Sequence, residues 1–159
     1  MVLVPIVIAL NYAMLTLMSG GRAYVHGEAR WSKAQQEAVF HLDRYAETGA
    51  GDHLAVAREA LEVPLGDRKA RLALQGSAYD YEAAYQGLLR GQNDPRDIPT
   101  MIWLLEDFEN APYLSRAIDV WGRADQGILE LVALADRLEE RWSERPVDRA
   151  AIDDLRNRL

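Results

Sequence analysis

The sequence predicts an all-α fold: an elongated helical bundle with two long helices and several short intervening helices, preceded by an N-terminal transmembrane helix. Three observations carry this expectation. Leu, Ala, Glu and Arg dominate the composition, and runs of β-branched residues occur only in the first few positions. No charged residue precedes Arg22, whereas charges recur every few positions after it. Beyond Arg22 the apolar residues return at three- and four-residue steps, the period of a helix with one wet side. At 159 residues the chain suffices for one domain with a sizeable core. A net charge of −7 argues against a nucleic-acid partner, which calls for a basic face. The lack of cysteine excludes a disulfide framework, a zinc ribbon and a thiol nucleophile.

The first element, residues 1–21, reads as a membrane anchor. Val2 to Met18 is apolar and near the short limit for crossing a hydrocarbon core, and Ser19, Gly20 and Gly21 extend it through the interface. Pro5 sits near the start, where a missing backbone donor costs least. A cleaved export signal is the main rival, with a buried soluble helix third. A signal calls for basic residues ahead of the apolar run and a small-x-small cleavage site, and "LMSGGRAY" offers a poor one. Because no Lys or Arg precedes the run to orient it, residues upstream of Met1 are expected to be missing.

Residues 22–145 form the helical domain. Tyr24, Trp31, Ala38, Leu42 and Tyr45 continue the anchor as one rod until the glycines of "TGAGD" stop it. Asp52 is expected to cap a helix to about Val63, with "VPLGD" breaking it at Pro64 and Gly66. Asp67 then caps "RKARLAL", which ends near Gly76, and Ser77 or Asp80 starts the next helix through Leu89. Arg90 to Pro99 reads as a loop, followed by "TMIWLLEDF". A final long helix from about Pro112 to Arg145 carries a nearly heptad seam of Leu114, Ile118, Trp121, Asp125, Ile128, Val132, Ala135, Leu138 and Trp142. Residues 146–159 read as the truncated start of a further helix leading back toward the membrane. The long final helix is expected to run antiparallel to the first rod, with a second span beyond Leu159 and with Trp142 near the membrane, a core position on the long seam, or both.

The stretches "RAYVHGEARWSKAQQEAVFHLDRYAETG", "VPLGDRKARLAL", "LLRGQNDPRDIPTMIWLLEDF" and "APYLSRAIDVW" resemble the all-helical extracytoplasmic (periplasmic) sensor region of bacterial membrane signalling proteins. The similarity covers about Arg22 to Arg141 and consists of texture and short stretches, without a catalytic signature. It implies a ligand-responsive homodimer in the inner membrane, with residues from about 22 onward in the periplasm. A kinase or cyclase output module of a two-component or related system would follow a second span.

The residues themselves suggest where a ligand would sit. Glu28 and Gln35 interrupt the apolar stripe beside Trp31, and a buried carboxylate or amide there needs a partner such as Arg68, Arg71 or Arg116. Tyr24, Trp31, Trp103, Tyr113 and Trp121 would supply aromatic walls for a small-molecule pocket. The plainer reading of the same residues is a structural ion pair beside core aromatics. "DRKAR", Asp67 to Arg71, concentrates cations at an expected helix start and suits an anionic effector or, more plainly, a solvated basic face. Glu37 and His41 share a helical face but do not by themselves make a metal site, so neither a metal nor a cofactor is expected. No phosphate loop, zincin, hydrolase or kinase motif is present, and no enzymatic activity is expected of this chain. The competing readings are a membrane-tethered scaffold with a featureless core, and a helical metalloenzyme with acids converging on His41. A pocket holding Glu28, Trp31 and an arginine would favour the sensor.

Overall fold

The computed structural model describes residues 3–75, 79–108 and 112–144, and within them the chain forms five α-helices and no strand. The first, α1, spans Leu3–Thr48 without interruption. Its 46 residues reach about 69 Å at the helical rise of about 1.5 Å per residue. Two regimes divide it. From Leu3 to Met18 the large apolar side chains lie open, with Leu3 77% and Met18 63% exposed, and the helix is long and apolar enough to cross a membrane. From Gly20 onward one stripe is buried, comprising Gly20, Ala23, Gly27, Ala34, Ala38, Leu42 and Tyr45. Its spacing of three, four and seven keeps these residues on one face. Gly49 ends the helix in the left-handed region at φ 69°, its amide donating to Tyr45 O at 2.8 Å.

Helix α2, Gly51–Gln75, packs antiparallel on α1. Leu54 and Ala57 meet Leu42 and Tyr45, Leu61 meets Ala38, and Ala70 meets Ala23. His41 and His53 join the same two helices through their Nδ1 atoms at 2.9 Å, one ring donating to the other. The break expected at Pro64 and Gly66 does not occur: α2 runs through both. Pro64 forfeits one backbone hydrogen bond, but its ring is fully buried beside Leu61 and Val63. Gly66 is a contact rather than a stop. A Cβ there would lie 2.6 Å from Gly87 O and from Gly91 N, so its missing side chain lets the next helix cross at backbone distance.

That next helix is α3, Tyr81–Arg90, capped by Asp80, which accepts from the Ala83 amide at 2.9 Å. Gly87 faces Ala70 and Gly66, and Arg90 pairs with Glu62, so α3 runs opposite to α2. The loop expected over Arg90 to Pro99 is shorter, residues 91–97, with Gln92 at φ 59°. Helix α4, Ile98–Phe108, starts one residue before Pro99, which sits in the first turn where its missing donor is harmless. Along α4, Met101 meets Tyr24 and Leu104 meets Gly20, so the helix descends toward the apolar segment.

The last element, α5, covers Pro112–Ser143, close to its expected span. Its direction is the reverse of the expectation. Trp121 stacks on Tyr24, Ile128 joins Ala38, Ala135 joins Leu42, and Trp142 packs over Tyr45 and Gly49. Rising numbers on α5 thus meet rising numbers on α1, and the two long helices are parallel. Trp142 lies at the end of the bundle remote from the apolar segment, packed on the core as a position of the seam and not beside the apolar segment. Five alternating passes account for this, because an odd number leaves the last helix pointing the same way as the first. Residues 146–159, expected to begin a returning helix, lie outside the described residues.

A candidate ligand cavity beside the apolar segment

A cavity of about 190 Å³ opens where α1, α2, α4 and α5 meet, just beyond the last exposed apolar turns of α1. Helix α1 supplies Tyr24, Gly27, Glu28 and Trp31, whose spacing of three and four residues places them on one face. Helix α2 contributes Asp67, Arg68, Ala70 and Arg71 from the opposite wall, and α5 contributes Val120, Trp121, Ala124 and Asp125. Leu88, Asn93, Met101 and Leu105 close the back. Gly27 leaves room for Asn93: a Cβ there would lie 3.2 Å from Asn93 Oδ1.

Two polar groups organise the walls. The first centres on Asp125, which pairs tightly with Arg71 and lies 3.4 Å from Arg68 Nε. Arg71 and Asp125 side chains are only 13% and 14% exposed, so each charge depends on the other for its loss of water. Arg68 Nε is buried without a hydrogen bond, the Asp125 approach being too oblique to provide one. The second group centres on Asn93, 3% exposed. Its Nδ2 donates to Asp67 Oδ1 at 3.1 Å and to Leu88 O at 2.9 Å, while its Oδ1 accepts from Arg30 at 3.1 Å. Burial pushes the Asp67 carboxyl up from its ordinary 3.8 to about 7, outweighing the Asn93 hydrogen bond and the Arg30 charge.

The aromatic wall is ordered by contacts of its own. Tyr24 and Trp121 stack with ring centroids 5.5 Å apart and planes at 21°. The Tyr24 hydroxyl donates to Met101 O at 2.8 Å, and burial raises its pKa, so it remains a protonated donor. Among the described residues no Ser, Thr, Cys or His lines the cavity. The walls offer aromatic faces, carboxylates and guanidinium groups, an arrangement suited to holding a small molecule.

Of the residues singled out in the sequence, Tyr24, Glu28, Trp31, Arg68, Arg71 and Trp121 line this cavity. Gln35 is half-buried on α1 but lies off the lining, as does half-buried Trp103 on α4. Arg116 is exposed and also off the lining, and the Tyr113 side chain lies outside the described residues. The expected pairing is corrected: Glu28 is exposed rather than buried, and Arg68 and Arg71 turn to Asp125. Asp67 to Arg71 sit inside α2 and not at a helix start, so no helix N-terminus backs their charge. Sequence reading missed Asp67 and Asn93 as cavity groups. Asp125 was missed too, although it carried a signal, being the one carboxylate on an otherwise apolar seam. Around His41 no metal-holding group of three or more His, Cys, Asp or Glu occurs among the described residues.

Comparison with protein-family models, characterised proteins and solved structures finds no match for this chain. The functional reading therefore rests on the cavity and its place in the bundle.

Proposed function

We propose that the chain is the extracytoplasmic ligand-sensing part of a bacterial transmembrane signalling protein, anchored in the inner membrane by residues 1–21 and passing a helix displacement across it. One observation carries the reading. Helix α1 is unbroken from Leu3 to Thr48, with its apolar, membrane-competent segment at one end and a wall of the cavity, Tyr24 to Trp31, immediately beyond it. A ligand that tightens the cavity acts on α1 directly, and a continuous helix transmits a shift or rotation along its axis. Among the described helices α1 alone carries a membrane-competent segment, so the displacement is carried by α1. The presence of Glu28, Trp31 and two arginines on one cavity supports the sensor over a scaffold with a featureless core.

The test uses the full chain. In lipid vesicles it should float with the membrane fraction and resist alkaline extraction, while replacing Leu10 and Leu15 with Lys should release it. A thermal-shift screen in lipid nanodiscs against amines, amino acids and organic acids should find a stabilising compound. That stabilisation should vanish in Trp121→Ala. Ready extraction of the unaltered chain at alkaline pH would overturn the anchor, and a screen without any stabilising compound would overturn ligand sensing.

A further inference from the structure

We infer that the cavity takes a small organic cation, an ammonium ion carrying a ring or short apolar body, seated against Tyr24, Trp31 and Trp121 and ion-paired with Asp67. The inference rests on the cavity being a ligand site, as proposed above, and adds the chemical class of its occupant.

Charge is the first argument. Three acids, Glu28, Asp67 and Asp125, line the cavity against two arginines, Arg68 and Arg71. Both arginines pair with Asp125, and among the described residues no ion pair links either of them to Asp67. Arg30, whose charge acts on Asp67, donates to Asn93 Oδ1, leaves its buried Nε without a hydrogen bond and does not line the cavity. Asp67 is left with one hydrogen bond, from Asn93 to Oδ1, and its Oδ2 accepts none among the described residues. A carboxylate in a mostly apolar wall requires a proton or a cation to offset its lost hydration.

Aromatic geometry is the second. The Tyr24 and Trp121 rings stack as a pair, and Trp31 stands two helical turns from Tyr24 on the same face of α1. Ring faces are electron-rich and attract a desolvated ammonium group, most strongly when the ring is tryptophan. Exposed Glu28 adds an acid at the rim that would draw cations in. The competing feature is Arg68, whose buried Nε lacks a hydrogen bond and would suit an anion, so the experiment pits the two charges against each other.

The full chain in nanodiscs of zwitterionic lipid is titrated with benzylammonium, phenylacetate and benzyl alcohol, which share a ring and differ in charge, with empty nanodiscs as the blank. Binding is followed by calorimetry and tryptophan fluorescence. Benzylammonium should bind at least about tenfold more tightly than either of the others, a gap of about 1.4 kcal/mol. Asp67→Asn, which keeps an oxygen for Asn93, should remove that preference. Benzylammonium affinity should also fall as the pH drops below about 7, because protonating Asp67 removes its charge, and the fall should be absent in Asp67→Asn. The groups facing Asp67 are Tyr24, Glu28 and Arg30 from α1, Arg68 and Arg71 on α2, and Asp125 from α5. Phenylacetate or benzyl alcohol binding as tightly as benzylammonium, or an Asp67→Asn chain with unaltered preference, would overturn the cation while leaving the cavity a ligand site. Failure of all three probes to bind would overturn the cation, and the independent screen of amines, amino acids and organic acids decides whether the ligand-site reading falls with it.

Discussion

Asp67 shows how far one residue's neighbours can move it from its sequence-level role. It reads as a helix cap, yet it lies inside α2 facing a cavity, with its carboxyl titrating near neutrality. In the unfolded chain an aspartate loses its proton near 3.8, so between that pH and about 7 the folded form binds more protons than the unfolded form. The contribution of Asp67 to stability should therefore be fully present below this window and fall by a few kcal/mol as pH rises through it. Urea melts between pH 4 and 8, an illustrative range of about four units, should show this slope, and Asp67→Asn should flatten it. Asp125 makes the opposite case, a charge whose partners are already in place. Asp125→Ala leaves Arg71 and Arg68 without their anion in a half-dry wall and should cost about 3 kcal/mol or more, read from the same melts.

Between elements, α2 and α3 cross at backbone distance, and glycine makes it possible on both sides. A Cβ at Gly66 would meet Gly87 O, and one at Gly87 would lie 2.6 Å from the Ala70 amide nitrogen. Neither obstacle is a side chain able to swing away. Gly66→Ala and Gly87→Ala should each destabilise by about 2–3 kcal/mol as the helices are forced apart. Gly127, inside α5, provides the contrast: nothing lies within 4 Å of a Cβ there. Gly127→Ala should stabilise by about 0.5–1 kcal/mol by removing backbone freedom from the unfolded chain. A difference in melting temperature of opposite sign between the two classes checks both. The Pro64–Gly66 pair looks like helix punctuation only while its neighbours are unknown, since buried packing of the proline ring and close crossing at the glycine outweigh the local preference to stop.

At the level of the whole molecule, that local misreading has a topological cost. A break at Pro64 would add a sixth pass and turn the final helix back toward the apolar segment; with α2 continuous, α5 rises beside α1. Introduced cysteines test this cleanly, because the chain has none of its own. Oxidation should cross-link Tyr45→Cys with Trp142→Cys, whose parent rings lie 6.4 Å apart, and should leave Tyr24→Cys paired with Trp142→Cys unlinked. The reverse pattern would restore the antiparallel arrangement.

Much of the architecture was nevertheless written in one dimension. The all-α class, the exposed apolar run before Gly20, the glycine stop after Thr48, the Asp80 cap and the span of α5 all follow from short-range causes: helical periodicity, the cost of charge in an apolar medium, and the fit of capping residues. The aromatic wall was legible in part for the same reason: Tyr24 and Trp31 share one helical face at fixed spacing, and Trp121 joins them, whereas Trp103 lies off the lining. The partners of Arg68 and Arg71, the burial of Asn93 and Asp67, and the direction of α5 were not. Each depends on which helix crosses which and at what distance, and only side chains and backbones brought together from distant positions can decide that.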